Sequence, residues 1–232
     1  MPSTSLGLCL DNDTLRISVA LRIGAKLCYP HDCIKCGKKV DSYGYHGLSC
    51  KSASGTRPRH YSLNETIRRG VVSAGLPALL EPPGVVREDG KHPDGLTLIP
   101  WSKGKCLLWD ATCRDTVAKS YVNTSSRQVG WVAKTAEDKK IDLYNSLIGQ
   151  YFFVPLGFET LGPWGPHAKN FVSDLGKRIS NVTNEKRATL FLKQRLSIDI
   201  QRGNAASVFG TLPSTQALDE VFYILSNKKQ RL

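Results

Sequence analysis

The chain has little of what would tie it to a membrane or to the secretory route. No apolar run approaches the roughly 20 residues that span a bilayer. The opening MPSTSLGLCLDNDT has no basic stretch leading into an apolar one, so no secretory signal is expected and the expected compartment is intracellular, nuclear or cytoplasmic. No internal repeat is present. Acidic residues are also scarce: 20 Asp and Glu stand against 32 Lys and Arg, a formal net charge of +12. A surplus of that size favours a polyanionic partner, with nucleic acid ahead of an acidic membrane surface. The basic residues come as short clusters, such as Lys38–Lys39, Arg68–Arg69 and Lys139–Lys140. No single block is long enough to read as a disordered basic tail.

Seven cysteines are present, an odd number, and four of them fall between Cys28 and Cys50. In a reducing compartment such a cluster binds metal more often than it forms disulfides. Two residues separate Cys33 from Cys36, nine more precede His46, and three more precede Cys50. A CxxC turn followed by a His/Cys pair can close tetrahedrally on one Zn²⁺, and thiolate with imidazole is a ligand set zinc favours. Cys28 and His31 are the rival ligands. So small a segment has little core of its own, so zinc would supply much of its folding energy.

Along the chain, residues 12–27 read as a helix capped by Asp11 or Asp13, with Leu15, Val19 and Ile23 as its apolar repeat. A polar linker, 51–60, leads to a helix at 62–75, where Ser62 and Glu65 form a capping box. Strands are expected at 84–86, 95–99 and 105–113, a helix at 135–149, a strand at 151–160, and helices near 186–202 and 215–226. The expected modules are a helical linker (1–28), a zinc knuckle (29–52), an α/β core (60–165) and a helical C-terminal extension (166–232).

Fifteen residues separate Asp94 from Asp110. If a hairpin turns at Ser102, the two aspartates oppose each other on one face, with Cβ atoms about 5 Å apart. Carboxylates that close repel unless a cation lies between them, and Mg²⁺ suits one or two carboxylates, waters and a phosphate. Alternation places Cys106, Leu108, Asp110 and Thr112 on the same face.

HPDG followed by WDAT resembles the PD-(D/E)xK nuclease signature. With the preceding Cys/Cys/His/Cys knuckle and the phrases HGLSC and RH, the chain resembles the C-terminal region of non-LTR retrotransposon proteins that carry a restriction-like endonuclease. The resemblance runs from about residue 12 to about 212, through LEPPG, AEDKK, FETLGPWG and QRGNA. It implies a restriction-endonuclease-like fold and an Mg²⁺- or Mn²⁺-dependent DNA-nicking activity. It also implies DNA as partner with RNA as a second candidate, and the reverse transcriptase of the same element where one exists; no membrane partner is expected. Three features depart from the pattern. His92 stands where Lys or Arg is usual, and Thr112 stands where a lysine follows the second acid. No reverse transcriptase precedes the knuckle, so the resemblance implies a fragment, a truncated copy or a domesticated gene.

The resemblance also implies a substitute for the missing lysine. Lys140, four residues before Tyr144 on the following helix, takes the catalytic role, although Leu143 replaces the companion lysine of the family. Glu65 either completes the metal shell or serves only the capping box. His60, His31 and His167 read as surface or turn residues, and Asp115 lies on the wrong strand parity for Asp110. The alternatives to catalysis are a decayed zinc-dependent nucleic-acid-binding module and a scaffold for an absent reverse transcriptase.

Overall fold

A computed structural model describes residues 7–86 and 90–213; the helix expected over 215–226 lies outside them. Helix α1 (Asn12–Ile23) starts where Asp11 Oδ1 accepts from the Thr14 N–H and stops at Gly24, which takes the left-handed conformation. It is shorter than expected, and its buried side is not the expected one. Thr14, Ile17, Ser18 and Leu21 face inward, while Leu15, Val19 and Ile23 are exposed. Thr14 and Ser18 can be buried because each satisfies its hydroxyl locally, on Asp11 and on the Thr14 carbonyl.

A two-stranded ribbon, β1 (His31–Asp32) with β2 (Lys39–Val40), and the short helix α2 (His46–Ser49) form the cysteine-rich segment. Helix α3 (Thr56–Ser73) begins directly after it. The expected linker therefore contains the first turn of α3, and Pro58 sits in that turn, where its missing N–H costs nothing. Ser62 is mid-helix and forms no capping box.

Strands β3 (Ala78–Leu80), β4 (Gly95–Ser102), β5 (Lys105–Arg114) and β6 (Phe152–Glu159) form one sheet in that order. The first two pairings are antiparallel and β5–β6 is parallel. The strand expected at 84–86 is replaced by β3 nearer the helix. The parallel pairing needs a crossover, which contains α4 (Val122–Ser125), α5 (Trp131–Leu143) and α6 (Asn145–Ile148). Helices α7 (Pro166–Thr183) and α8 (Ala188–Phe209) follow among the described residues. The result is a mixed α/β fold on a four-stranded mixed sheet.

The segment 166–232 reads in the sequence as an extension, but α7 and α8, the helices of its described part, help build the core. Phe171, Val172 and Leu175 of α7 and Leu196 and Ile200 of α8 pack with Leu63 and Ile67 of α3 and with Leu107 and Trp109 of β5. The far half of α8 then reaches the other segments. Ala205 and Val208 pack on Ile17 and Leu21, and Leu212 joins Cys28, Cys33, Val40 and Cys50. Among the described residues no helix is long and apolar enough to cross a membrane.

Candidate functional site

The β4–β5 hairpin turns at Lys103 and Gly104, both at positive φ, rather than at Ser102. Ser102 pairs with Lys105, but two irregularities shift the register, so that further along Gly95 pairs with Trp109. Thr97 fills the irregular stretch: its hydroxyl accepts from Leu107 N–H at 2.8 Å and donates to the Ile99 carbonyl at 2.8 Å. Without those shifts the aspartates would be out of step. With them, Asp94 lies across from Asp110. The Asp94 N–H donates to the Trp109 carbonyl, and Asp94 Oδ2 accepts from the Ala111 N–H at 2.6 Å.

Asp110 is buried beneath α5. Lys140 Nζ lies 2.7 Å from its Oδ1, and the Tyr144 hydroxyl donates to its Oδ2 at 2.6 Å. The i,i+4 spacing brings both groups to one carboxylate. Tyr144 is fully buried and stacks on Phe153, with ring centroids 4.6 Å apart. Burial pushes the Asp110 carboxyl above the usual aspartate range, and the Asp94 charge adds to the rise; Lys140 and Tyr144 oppose it.

His60, expected as a surface residue, belongs to this cluster. It projects from the early part of α3, and its Nε2 lies 3.2 Å from Asp94 Oδ2. The hydrogen bond to Asp94 raises its pKa against the opposing effect of burial. The sequence signal that could have found it is the helical start at Thr56, which places His60 and Asn64 one turn apart on the same helix.

Glu65 is not brought to this cluster. Arg68 and Arg69 both bond its carboxylate and hold it down at about 2, Arg68 contributing more. It lines a separate groove of about 500 Å³ with residues of α7 and α8, a lining that includes none of Asp94, Asp110 and Lys140. Glu159 and Asp115 are likewise engaged elsewhere. Glu159 accepts from the Ala133 N–H in the first turn of α5, and Asp115 from the Val117 N–H and the Thr160 hydroxyl.

The second cluster is Cys33, Cys36, His46 and Cys50, whose ligand atoms all lie within 4.8 Å of one another. Cys36 Sγ lies 3.2 Å from His46 Nε2 and 3.6 Å from Cys50 Sγ. Tetrahedral zinc with bonds of about 2.3 Å to sulfur and 2.0 Å to nitrogen sets its ligands roughly 3.5–3.8 Å apart, so the donor set fits. The rival ligands are occupied: His31 bonds the Tyr29 and Thr211 carbonyls, and Cys28 donates to the Asp41 carbonyl. The four residues thus form a possible zinc site.

No protein-family model matches the chain, and a search of curated proteins returns no significant relative.

Proposed function

We propose that this chain is a divalent-cation-dependent endonuclease acting on DNA, in which a zinc knuckle helps to engage the substrate. The observation that carries the reading is the convergence of Asp94, just before β4, Asp110 of β5 and Lys140 of α5. The element order α3, β3–β4–β5, α5, β6 is compatible with a restriction-endonuclease-like core, and the +12 charge suits a polyanionic substrate.

The donor set suits Mg²⁺ or Mn²⁺: Asp94 and Asp110 are hard oxygen ligands, and among the described residues no protein donor reaches Asp94 Oδ1. When bound, the cation lowers the pKa of a water and offsets charge on the phosphodiester. The chain's own groups do the remaining work. Lys140 supplies a positive charge to the phosphoryl oxygens as negative charge builds on them. Tyr144 holds Asp110 in orientation from beneath. The basic surface binds the phosphate backbone without reading sequence. Thr112 stands in place of the signature lysine, so Lys140 carries the whole cationic role.

The test is a supercoiled-plasmid nicking assay with zinc-loaded protein in Mg²⁺ and in Mn²⁺. Wild type nicks, while Asp94→Ala and Asp110→Ala do not, and their DNA affinity at fixed salt stays close to wild type. Nicking by Asp110→Ala at the wild-type rate would sink the reading. A second reading, a zinc-dependent binding module for DNA or RNA whose nuclease site has decayed, is favoured by one observation: Lys140 and Tyr144 already engage both Asp110 oxygens. Salt-sensitive nucleic-acid binding with no cation-dependent nicking would select it. Salt-insensitive binding would instead point to a scaffold for a reverse transcriptase.

A further inference from the structure

The orientation of Asp94 can be followed back through three side chains to a group whose hydrogen-bonding role is fixed. The indole N–H of Trp109 can only donate. It donates to Asn64 Oδ1 at 3.1 Å, inside the core. That assigns the Asn64 amide, so its Nδ2 is the end turned toward His60. Nδ2 lies 3.2 Å from the His60 carbonyl and 3.4 Å from each of the two His60 ring nitrogens, so it braces the imidazole without choosing its tautomer. Asp94 makes that choice: a carboxylate only accepts, so the ring nitrogen that faces it, Nε2, carries the proton. His60 Nε2 therefore donates to Asp94 Oδ2, the oxygen that also accepts from Ala111 N–H. Among the described residues two donors hold Oδ2 and none reaches Oδ1, which is left for a ligand.

We infer that His60 is a positioning residue for Asp94: held through Asn64 by Trp109, it fixes the carboxylate so that Oδ1 is presented to a divalent cation. The inference rests on the reading of Asp94 and Asp110 as a cation site and adds a residue which that reading does not include. The arrangement has the form of a second-sphere support, in which a group behind a ligand sets its rotamer and costs about 10- to 100-fold in metal affinity when removed. Its position on the chain gives it a further consequence. Trp109 and Asp110 are consecutive on β5, so one strand segment supplies one carboxylate directly and orients the other through α3. The His60 side chain is half exposed, at 49%, whereas Asp94 is at 13%. Its replacement is therefore tolerated by the fold.

The experiment measures Mn²⁺ binding by titration calorimetry on zinc-loaded, DNA-free protein, so that it does not depend on turnover. His60→Ala is expected to weaken Mn²⁺ binding by about 10- to 100-fold. His60→Gln, which can return an N–H to Asp94, is expected to recover most of that loss. Asn64→Leu, which cuts the relay one step back, is expected to weaken binding less than His60→Ala does. In nicking assays the His60→Ala loss is expected in kcat at saturating DNA, with KM for DNA unchanged. If Asp110→Ala abolishes Mn²⁺ binding while His60→Ala binds as wild type does, the inference about His60 is wrong and the cation site stands. If His60→Gln is as weak as His60→Ala, a donor to Asp94 is not what His60 supplies. If wild type, Asp94→Ala and Asp110→Ala all bind Mn²⁺ alike, the underlying cation-site reading fails and takes the inference with it.

Discussion

Gly95 and Trp109 face each other across β4 and β5, and a Cβ on Gly95 would collide with the indole ring of Trp109. The glycine that follows Asp94 is therefore required by the tryptophan that precedes Asp110. The requirement is one of space, since Gly95 is not among the positive-φ glycines. The indole covers the bare glycine, its N–H is taken by Asn64, and both aspartates are set by the register this pair anchors.

Gly95→Ala is accordingly expected to destabilise the protein by about 1–3 kcal/mol, the range for overpacking a tight core, and to abolish cation-dependent nicking. The double variant Gly95→Ala/Trp109→Leu relieves the clash, so it should recover stability relative to Gly95→Ala alone. It should recover nicking only in part, because Asn64 then has no indole to orient it. Urea denaturation of wild type and the two variants checks the first expectation and plasmid nicking the second. A Gly95→Ala protein as stable as wild type would show that the strands separate freely here.

Asp110 gives a pH-dependent prediction. Burial, aided by Asp94, holds its carboxyl above the ordinary value of 3.8. Because the folded pKa is raised, the folded state binds this proton more tightly than the unfolded chain does. Its contribution to stability thus falls as pH rises from about the ordinary value through the raised one, and the full penalty stands above that window. Asp110→Asn removes the charge and keeps an oxygen for Tyr144 or Lys140. It is expected to raise Tm at neutral pH, with the gain shrinking toward pH 4, and to lose nicking. Lys140→Met has the opposite sign, leaving Asp110 facing Asp94 with no cation, at a cost of about 2–3 kcal/mol. Thermal melts at pH 4 and 7 without divalent cation check both. An Asp110→Asn protein that melts lower than wild type at pH 7 would contradict the sign.

The parts legible in the sequence were those set by local spacing. The four knuckle ligands follow from their intervals; Lys140 comes from the family resemblance, and helical spacing adds only that it shares a face with Tyr144, since i and i+4 meet there. Asp94 and Asp110 could be paired across a hairpin, but the turn was placed at Ser102 because irregular registers leave no trace in apolar alternation. Two positions misled for identifiable reasons. The stripe Leu15, Val19 and Ile23 looked like the buried side of α1, but Ile17 and Leu21 are the residues that meet Ala205 and Val208 of α8. The polar stretch 51–60 reads as a linker, although a proline in the first turn is compatible with a helix, and this hides both the start of α3 and the place of His60. The contribution of α7 and α8 to the core was not legible, because it depends on which faces meet at long range.

The zinc site is expected to be coupled to the whole fold. The cysteine-rich segment presses on the end of α8: Ile34 N–H and His31 both bond the Thr211 carbonyl, and a Cβ on Gly47 would collide with the Ser207 carbonyl. Arg59, in the first turns of α3, is buried and donates to Asn204 of α8 at 2.8 Å. Elemental analysis of protein prepared without chelator is expected to find about one zinc per chain. Chelation or Cys36→Ser should lower the Tm of one cooperative transition, because the knuckle and the α/β core share α8. Two separate transitions in calorimetry, with only the lower one sensitive to zinc, would show that the segments unfold independently.

Glu137 carries the last prediction, which concerns the support behind Lys140. It lies one helical turn before Lys140 on α5 and is almost wholly buried. Its carboxylate accepts from three backbone N–H groups: Gly157 of β6 at 3.1 Å, and His167 and Ala168 in the first turn of α7 at 3.1 and 2.9 Å. An acceptor with negative charge at a helix N-terminus satisfies donors that the helix itself leaves free and complements its dipole. One side chain thus ties α5 to the sheet and to α7. Burial still raises its pKa despite those bonds, so part of their gain is spent on desolvation. Glu137→Ala would strand three N–H groups in the interior, at about 1–3 kcal/mol each at most, and is expected to cost more than about 3 kcal/mol in total. Glu137→Gln can keep the acceptor oxygen that Gly157 and Ala168 share but turns an NH₂ toward the His167 N–H, and should fall between. Because α5 carries Lys140 and Tyr144, the loss should also reach the site, lowering nicking in folded Glu137→Gln protein well below the unfolded fraction alone. Urea denaturation with amide exchange at Gly157 and Ala168 checks this. Exchange at both amides unchanged in Glu137→Ala would show that the carboxylate does not hold them.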